Sequence, residues 1–312
     1  MAFDPEALAA AMAAHGPVAR VVVAEARGSA PREAGAAMLV WADGQEGTIG
    51  GGTLEFEAAA RARVQLAAGG TRVDRLPLGP ALGQCCGGAV VLVTEVFKTV
   101  PETGDDVFAR PVASSRDMPL SVSRLLTRAR NQGDTPTPQL IDGWLVEPVA
   151  RPTRALWVWG AGHVGRAIVT TLAPMPDFAI TWVDTAPSRF PRTIPDGVTP
   201  LPAAEPVRLI PHAPKDAEHL ILTYSHELDL ALCSGLLSHG FGQAGLIGSA
   251  TKWARFHSRL ASLGHSPAQI ARIRCPIGDP ALGKHPQAIA VGVAAALLRE
   301  PRRQDLRKDK TA

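Results

Sequence analysis

Two stretches of this chain carry residue types and spacings suited to chemistry. The first is Gly83-Gln-Cys-Cys-Gly-Gly88. Its vicinal thiols, Cys85 and Cys86, are soft donors, and Gly87 and Gly88 let a bulky partner approach the backbone without side-chain clashes. A small cysteine buried in a turn is the commoner fate, but a glycine-flanked loop is a poor place to bury a thiol. The second is Gly160-Ala-Gly-His-Val-Gly165, with the dinucleotide-binding spacing G-x-G-x-x-G. There Gly160 allows the tight turn, Gly162 lets a phosphate reach the backbone, and Gly165 lets helix and strand pack closely. Asp184 follows at about the ~20-residue offset of a ribose-binding carboxylate. The alternative is that these glycines serve strand–helix packing alone.

Other residues have weaker claims. Tyr224-Ser-His226 follows an apolar run and lies at a strand's carboxyl end, where open α/β sheets bind ligands. His226 is thus a site candidate, with helix capping as its alternative. Ser249, Lys252 and Arg255 open onto a further helix at the same edge. Gly47-Thr-Ile-Gly-Gly-Gly-Thr53 feeds a helix N-terminus that could present N–H groups to an anion, although Glu55 and Glu57 in the first turn disfavour a phosphate. The polar loop Arg27-Gly-Ser-Ala-Pro-Arg-Glu33 carries two arginines on flexible backbone.

The elements that must position these residues can be read in order. Asp4-Pro5-Glu6 opens a first helix that Gly16 closes. Strands are expected over 20–26, 36–41 and 89–97, and a helix over 54–66, which is built from good helix formers. From Lys98 to about Pro119 the periodicity fades, so 101–151 reads as linker and connecting elements, with a short helix over 120–130 and a strand or strand pair over 139–149. Beyond it, Leu156–Trp159 reads as a buried strand, and Val164, Ile168, Val169 and Leu172 share one helix face. Phe178–Asp184 is a second strand, His219–Thr223 a central one, and 244–249 a short one. Helices are expected over 228–239 and 287–298, while the proline-rich 187–206 replaces a regular crossover. The expected fold is α/β. A mixed α/β N-terminal domain (1–100) and the connecting region (101–151) precede a Rossmann-like, doubly wound parallel-sheet domain (152–300) and a charged tail (301–312).

Whole-chain properties narrow the function. Two cores fit 312 residues. A net charge of +3 with dispersed basic residues gives nucleic-acid binding little support. No apolar stretch is long enough to span a membrane, and no secretory signal opens the chain, so a cytoplasmic protein is expected. The four cysteines, at 85, 86, 233 and 275, fit no C-x-x-C zinc spacing.

In this order, Gly28-Ser-Ala-Pro-Arg32, Gly50-Gly-Gly-Thr-Leu-Glu55, Gly83–Gly88, Gly160–Gly165, Gly245-Leu-Ile-Gly-Ser249 and Cys275-Pro-Ile-Gly278 resemble the XdhC/CoxI family of xanthine dehydrogenase accessory proteins. The resemblance spans most of the chain. It implies an accessory protein, not an enzyme, that binds molybdenum cofactor (molybdopterin), protects it during sulfuration and delivers it to apo-xanthine dehydrogenase. Cofactor-synthesis and cysteine-desulfurase partners and a homo-oligomer are implied as well. Cys86 matches the family's recurrent cysteine and would contact the metal, whereas Cys85 is a neighbour found in only part of the family. Arg32 could pair with the cofactor's phosphate. Asp279-Pro-Ala-Leu282 departs from the family's shorter closing turn. Two other readings compete: an NAD-dependent oxidoreductase with Asp184 on the ribose and His226 as acid–base residue, and a purely structural adaptor. Whether a nucleotide occupies the Rossmann crevice stays open.

Overall fold

The structure, a computed structural model, describes residues 2–79, 87–104, 106–113 and 117–299. The chain divides into two compact units, Met1–Arg151 and Pro152–Ala312.

The N-terminal unit begins with α1 (Pro5–His15), whose first turn is capped by Asp4 accepting from Ala7 N at 2.9 Å. Strands β1 (Val18–Arg27), β2 (Ala37–Val40) and β3 (Gln45–Gly47) precede α2 (Gly52–Ala68), and β4 (Thr71–Pro77) and β5 (Ala89–Phe97) follow it. The five strands form an antiparallel sheet in the order β3-β2-β1-β5-β4. Alternation in β1 sends Ala19, Val21 and Val23 into a core with Leu54, Ala58, Ala59 and Ala62 of α2, and Val22 and Ala24 to the opposite face.

That opposite face is covered by the region 101–151, expected to be linker and connecting elements with a short helix over 120–130 and a strand or strand pair over 139–149. The stretch holds β6 (Val107–Pro111), α3 (Leu120–Gln132), β7 (Gln139–Ile141) and β8 (Trp144–Pro148), with the strands in the order β6-β8-β7. Leu145 of β8 packs with Val22 and Val93. The region 101–151 is thus largely a packed layer of the unit. Its strands are short and carry inward charges, Arg110 and Glu147, which mask the usual apolar alternation.

The C-terminal unit is built from β9 (Arg154–Trp159), α4 (His163–Leu172), β10 (Phe178–Asp184), β11 (Val198–Pro202), β12 (Glu218–Ile221), α5 (His226–His239), β13 (Gln243–Leu246), α6 (Ala250–Ser262), α7 (Pro267–Ile270), β14 (Ile273–Arg274) and α8 (Pro286–Arg299). All six strands run parallel in the order β11-β10-β9-β12-β13-β14. This is the doubly wound Rossmann arrangement, with strand order 3-2-1-4-5-6. Leu156 and Val158 face α4 and α8, whereas Trp157 and Trp159 face α5 and α6, so both sides of β9 are buried. The proline-rich crossover lacks an α-helix, but it contains β11 and two short 3-10 turns, Pro187–Arg189 and Pro206–His212. Among the described residues no helix is long and apolar enough to cross a membrane.

His219 on β12 is 1% exposed. Its Nδ1 accepts from Trp159 Nε1 at 3.2 Å, while Nε2 has no hydrogen-bond partner among the described residues. Burial, reinforced by His239, lowers its pKa from 6.5 to about 3. The native state therefore binds fewer protons than the unfolded chain between those values, and stability falls as pH drops through that window. About 2 kcal/mol of this contribution should be lost by pH 5. The measurement is urea unfolding at pH 7 and pH 5. His219→Asn, which retains an acceptor for Trp159, should show a pH 7-to-5 loss smaller by about that amount; identical losses would refute the assignment.

Candidate functional site

In the C-terminal unit the strand order reverses between β9 and β12, and a ligand crevice in such a sheet lies outside the carboxyl ends of these strands. The three motif glycines have different reasons to be glycine there. Gly160 has φ 122, and a Cβ on it would lie 2.5 Å from Leu222 O. A Cβ on Gly165 would lie 2.0 Å from Gly160 O, so strand and helix approach backbone to backbone. At Gly162, the N-cap of α4, a Cβ would meet nothing within 4 Å among the described residues beyond its chain neighbours. Two glycines thus serve packing, and the third faces open space.

Asp184 ends β10 and is 5% exposed. Its Oδ2 accepts from Ala161 N at 2.6 Å, and its Oδ1 accepts from Thr185 N at 2.6 Å. The expected ribose carboxylate therefore braces the glycine loop itself. Arg189 Nε stands 3.4 Å from Asp184 Oδ1, and its guanidinium lies over the Tyr224 ring at 4.7 Å. Arg189 follows β10 and Tyr224 follows β12, so this contact bridges the two strands that flank β9.

His226 and Ser249 occupy helix starts along the same edge. His226 is the first residue of α5, after the cap Ser225, and its ring meets Phe256 edge-on at 6.4 Å. Ser249 caps α6 by accepting from Lys252 N at 3.2 Å. More buried groups lie nearby. Asp229 is fully buried and accepts from Thr223 Oγ1 at 2.7 Å and from Lys252 Nζ at 2.6 Å, while Lys252 also donates to Ile247 O at 2.9 Å. Sequence reading passed over Asp229, whose signal is an acid on the inward face of an otherwise apolar helix. Cys275 is a free thiol after β14; burial pushes its pKa up, with Lys252 opposing. Cys233, free and buried in α5, is pushed up by burial too.

In the N-terminal unit three glycine-bearing loops meet. Gly28 has φ 67, and a Cβ on it would lie 3.3 Å from Gly88 Cα; one on Gly88 would lie 2.3 Å from Arg27 O. A Cβ on Gly50 would lie 2.4 Å from Pro31 Cβ. The loop 28–32 is thus held between 50–52 on one side and 87–88 on the other. At Gly51 and Gly87, by contrast, a Cβ would meet nothing within 4 Å among the described residues. Arg32 engages Glu33 through two contacts of 3.4 Å. Cys85 and Cys86, which precede Gly87 in sequence, lie outside the described residues.

The loop leading into α2 is gathered around a carboxylate of the helix's own first turn. Glu55 Oε2 accepts from Thr48 Oγ1 at 2.5 Å and from Ile49 N and Gly51 N at 3.0 Å each. Partial burial opposes its ionisation, but these hydrogen bonds prevail and hold its carboxyl below the usual carboxylate range.

A model of the XdhC and CoxI family matches residues 11–77, and a model of the XdhC Rossmann domain matches residues 156–297. The chain belongs to the XdhC and CoxI family. The family matches include the glycine loops at 28–32, 50–52 and 160–165, whereas the cysteine loop falls between the two matched spans. The chain is 27% identical over 291 residues to the "Uncharacterized protein YqeB" of Escherichia coli (strain K12), covering 90% of this chain and 43% of that protein. It therefore spans less than half the length of that relative. The backbone also resembles a crystal structure from Bacillus halodurans described as a xanthine dehydrogenase, with a TM-score of 0.71, 19% identity and 95% of each chain covered. At that identity the likeness establishes a shared fold.

Proposed function

We propose that this protein is an accessory factor in xanthine dehydrogenase maturation, not a catalyst. It binds molybdenum cofactor in the N-terminal unit, shields it during sulfuration by cysteine-desulfurase partners, and delivers it to the apo-enzyme. Family membership supports this reading, and the structural observation that carries it is the meeting of loops 28–32, 50–52 and 87–88 directly after Cys86 in sequence. The residues present suit such a group. Gly51 and Gly87 border open space among the described residues, which suits a bulky pterin, and Arg32, paired with Glu33, carries a guanidinium of the kind that binds a phosphate. Bound there, the cofactor supplies a thiophilic metal, for which Cys86 with Cys85 beside it provides soft ligands. Glu55 already holds the N–H groups of Ile49 and Gly51 before α2, and its charge disfavours a phosphate there, which favours Arg32 as the phosphate's partner.

Hydride transfer is the weaker reading, because both oxygens of Asp184 already accept backbone N–H groups. Ribose hydroxyls would have to compete with them.

The test is to incubate the protein with molybdopterin, desalt it, and measure retained pterin together with reactivation of apo-xanthine dehydrogenase. The wild type should retain and deliver the cofactor, and Cys86→Ala should retain at least tenfold less with an unchanged thermal melt. Nicotinamide dinucleotides should not bind up to millimolar concentration. A folded wild type that retains no pterin would overturn the reading, and undiminished retention in Cys86→Ala would remove that cysteine from the site.

A further inference from the structure

Helix α2 buries Leu54, Ala58, Ala59 and Ala62 against the sheet. Its opposite face carries Thr53, Phe56, Ala60, Val64 and Ala67, all exposed, at the three- and four-residue spacing that lines up one side of a helix. Phe56 and Val64 are each 76% exposed. A solvent-facing helix side normally carries charged or polar residues. Here it carries an apolar stripe with charges along its edge, the pattern of a surface that meets another protein.

The pattern is also self-complementary, and from this we infer that α2 is the contact helix of a homodimer, pairing antiparallel with α2 of a second copy about a twofold axis at Ala60. An axis there brings positions equally far from residue 60 opposite each other. Phe56 then covers Val64 of the second copy, and the reverse contact repeats it, as an isologous interface requires. Ala60 meets itself, and its small side chain lets the helices approach to the ~8–10 Å of ordinary helix packing.

Charge supports the same register. Glu57 and Arg61 form an i,i+4 ion pair of 2.6 Å along one edge of the stripe, and both are about one-third to two-fifths exposed. The twofold sets this pair beside its own reversed copy, so each Glu57 carboxylate gains the second copy's Arg61 guanidinium as a neighbour. One helix pair is a small contact by the standards of stable interfaces. The dimer should therefore dissociate on dilution.

Sedimentation velocity of the full chain over a hundredfold concentration range tests this. The wild type should shift from monomer to dimer. Phe56→Lys should stay monomeric at every concentration with an unchanged melting temperature, since that side chain is 76% exposed. Glu57→Arg, which sets four cations along one edge, should weaken dimerisation about tenfold or more, and adding Arg61→Glu should restore it. Mild oxidation of Ala60→Cys should yield a disulfide-linked dimer beyond the background of the wild-type cysteines. A wild type that is monomeric throughout would overturn the inference. So would a dimer indifferent to Phe56→Lys, a double charge reversal that fails to rescue, or an Ala60→Cys protein that does not cross-link above background.

Discussion

Glu147→Gln is expected to destabilise the N-terminal unit by about 3–5 kcal/mol. Glu147 is fully buried in β8 and receives Arg20 from β1 at 2.7 and 3.0 Å and Arg110 from β6 at 2.8 Å. Arg110 turns its Nε to Glu95 of β5 at 2.8 Å, and the Phe3 ring lies 5.1 Å from Arg20 and 5.5 Å from Arg110. Two cations are therefore balanced by two carboxylates between the two sheets of the unit. Glutamine removes one negative charge and turns an amide donor toward guanidinium donors, leaving two buried cations on one carboxylate. Burial opposes ionisation of Glu147, but Arg20 and Arg110 outweigh it and hold its carboxyl below the usual carboxylate range. Its contribution is thus present above the ordinary carboxylate pKa and is lost only as pH falls through the lowered native value. Urea unfolding at pH 7 should give a lower midpoint with an unchanged slope. The double replacement Arg20→Met with Glu147→Leu should be less damaging than Glu147→Gln alone, because it removes the pair together. A loss below about 1 kcal/mol would mean that the charges are better hydrated than their burial indicates.

Gly165→Ala should cost the C-terminal unit about 3 kcal/mol or more, toward the upper end of overpacking, whereas Gly162→Ala should cost less than about 1 kcal/mol. The added methyl is the same, but its surroundings differ. At 165 it would stand 2.0 Å from Gly160 O and 3.1 Å from Gly160 C, atoms of a backbone held between β9 and α4. At 162 it would enter open space with φ −73, which any residue tolerates. Thermal unfolding of both variants decides the matter. Equal melting temperatures would show that α4 can slide away from β9, contrary to the close packing at Gly165. The pair also separates fold from ligand, since a crevice ligand weakened by Gly162→Ala would be losing its approach to the backbone and not its scaffold.

What could be read in the sequence was what depends on neighbours in sequence. Asp4 as a cap, the strand 89–97 and the run from β9 through Asp184 are local patterns of periodicity and punctuation, and the structure has them within a few residues of the expected bounds. The strand pair β7 and β8 lies within the expected 139–149, but β6 and the packing of the three strands as a layer were not legible, because Arg110 and Glu147 look like surface charges until Arg20 and Glu95 arrive from elsewhere in the chain to neutralise them. β11 was hidden for a similar reason, since an edge strand tolerates the prolines at 200 and 202 that argue against a central one. Asp184 ends β10 and Ser249 caps α6, positions their sequence neighbours imply, but their hydrogen-bond partners were not legible. A carboxylate at a strand end looks the same whether it faces a ribose or the N–H of Ala161.

The carboxylate of Glu55 has a consequence for recognition. By gathering Thr48, Ile49 and Gly51 around one oxygen, it freezes the loop before α2 when the protein folds. Loop 28–32, which rests on Gly50 through Pro31, takes its place against a support that is already rigid. The entropy of arranging this wall is thus settled before any visitor arrives, so contacts made against it go into affinity instead of into ordering the chain.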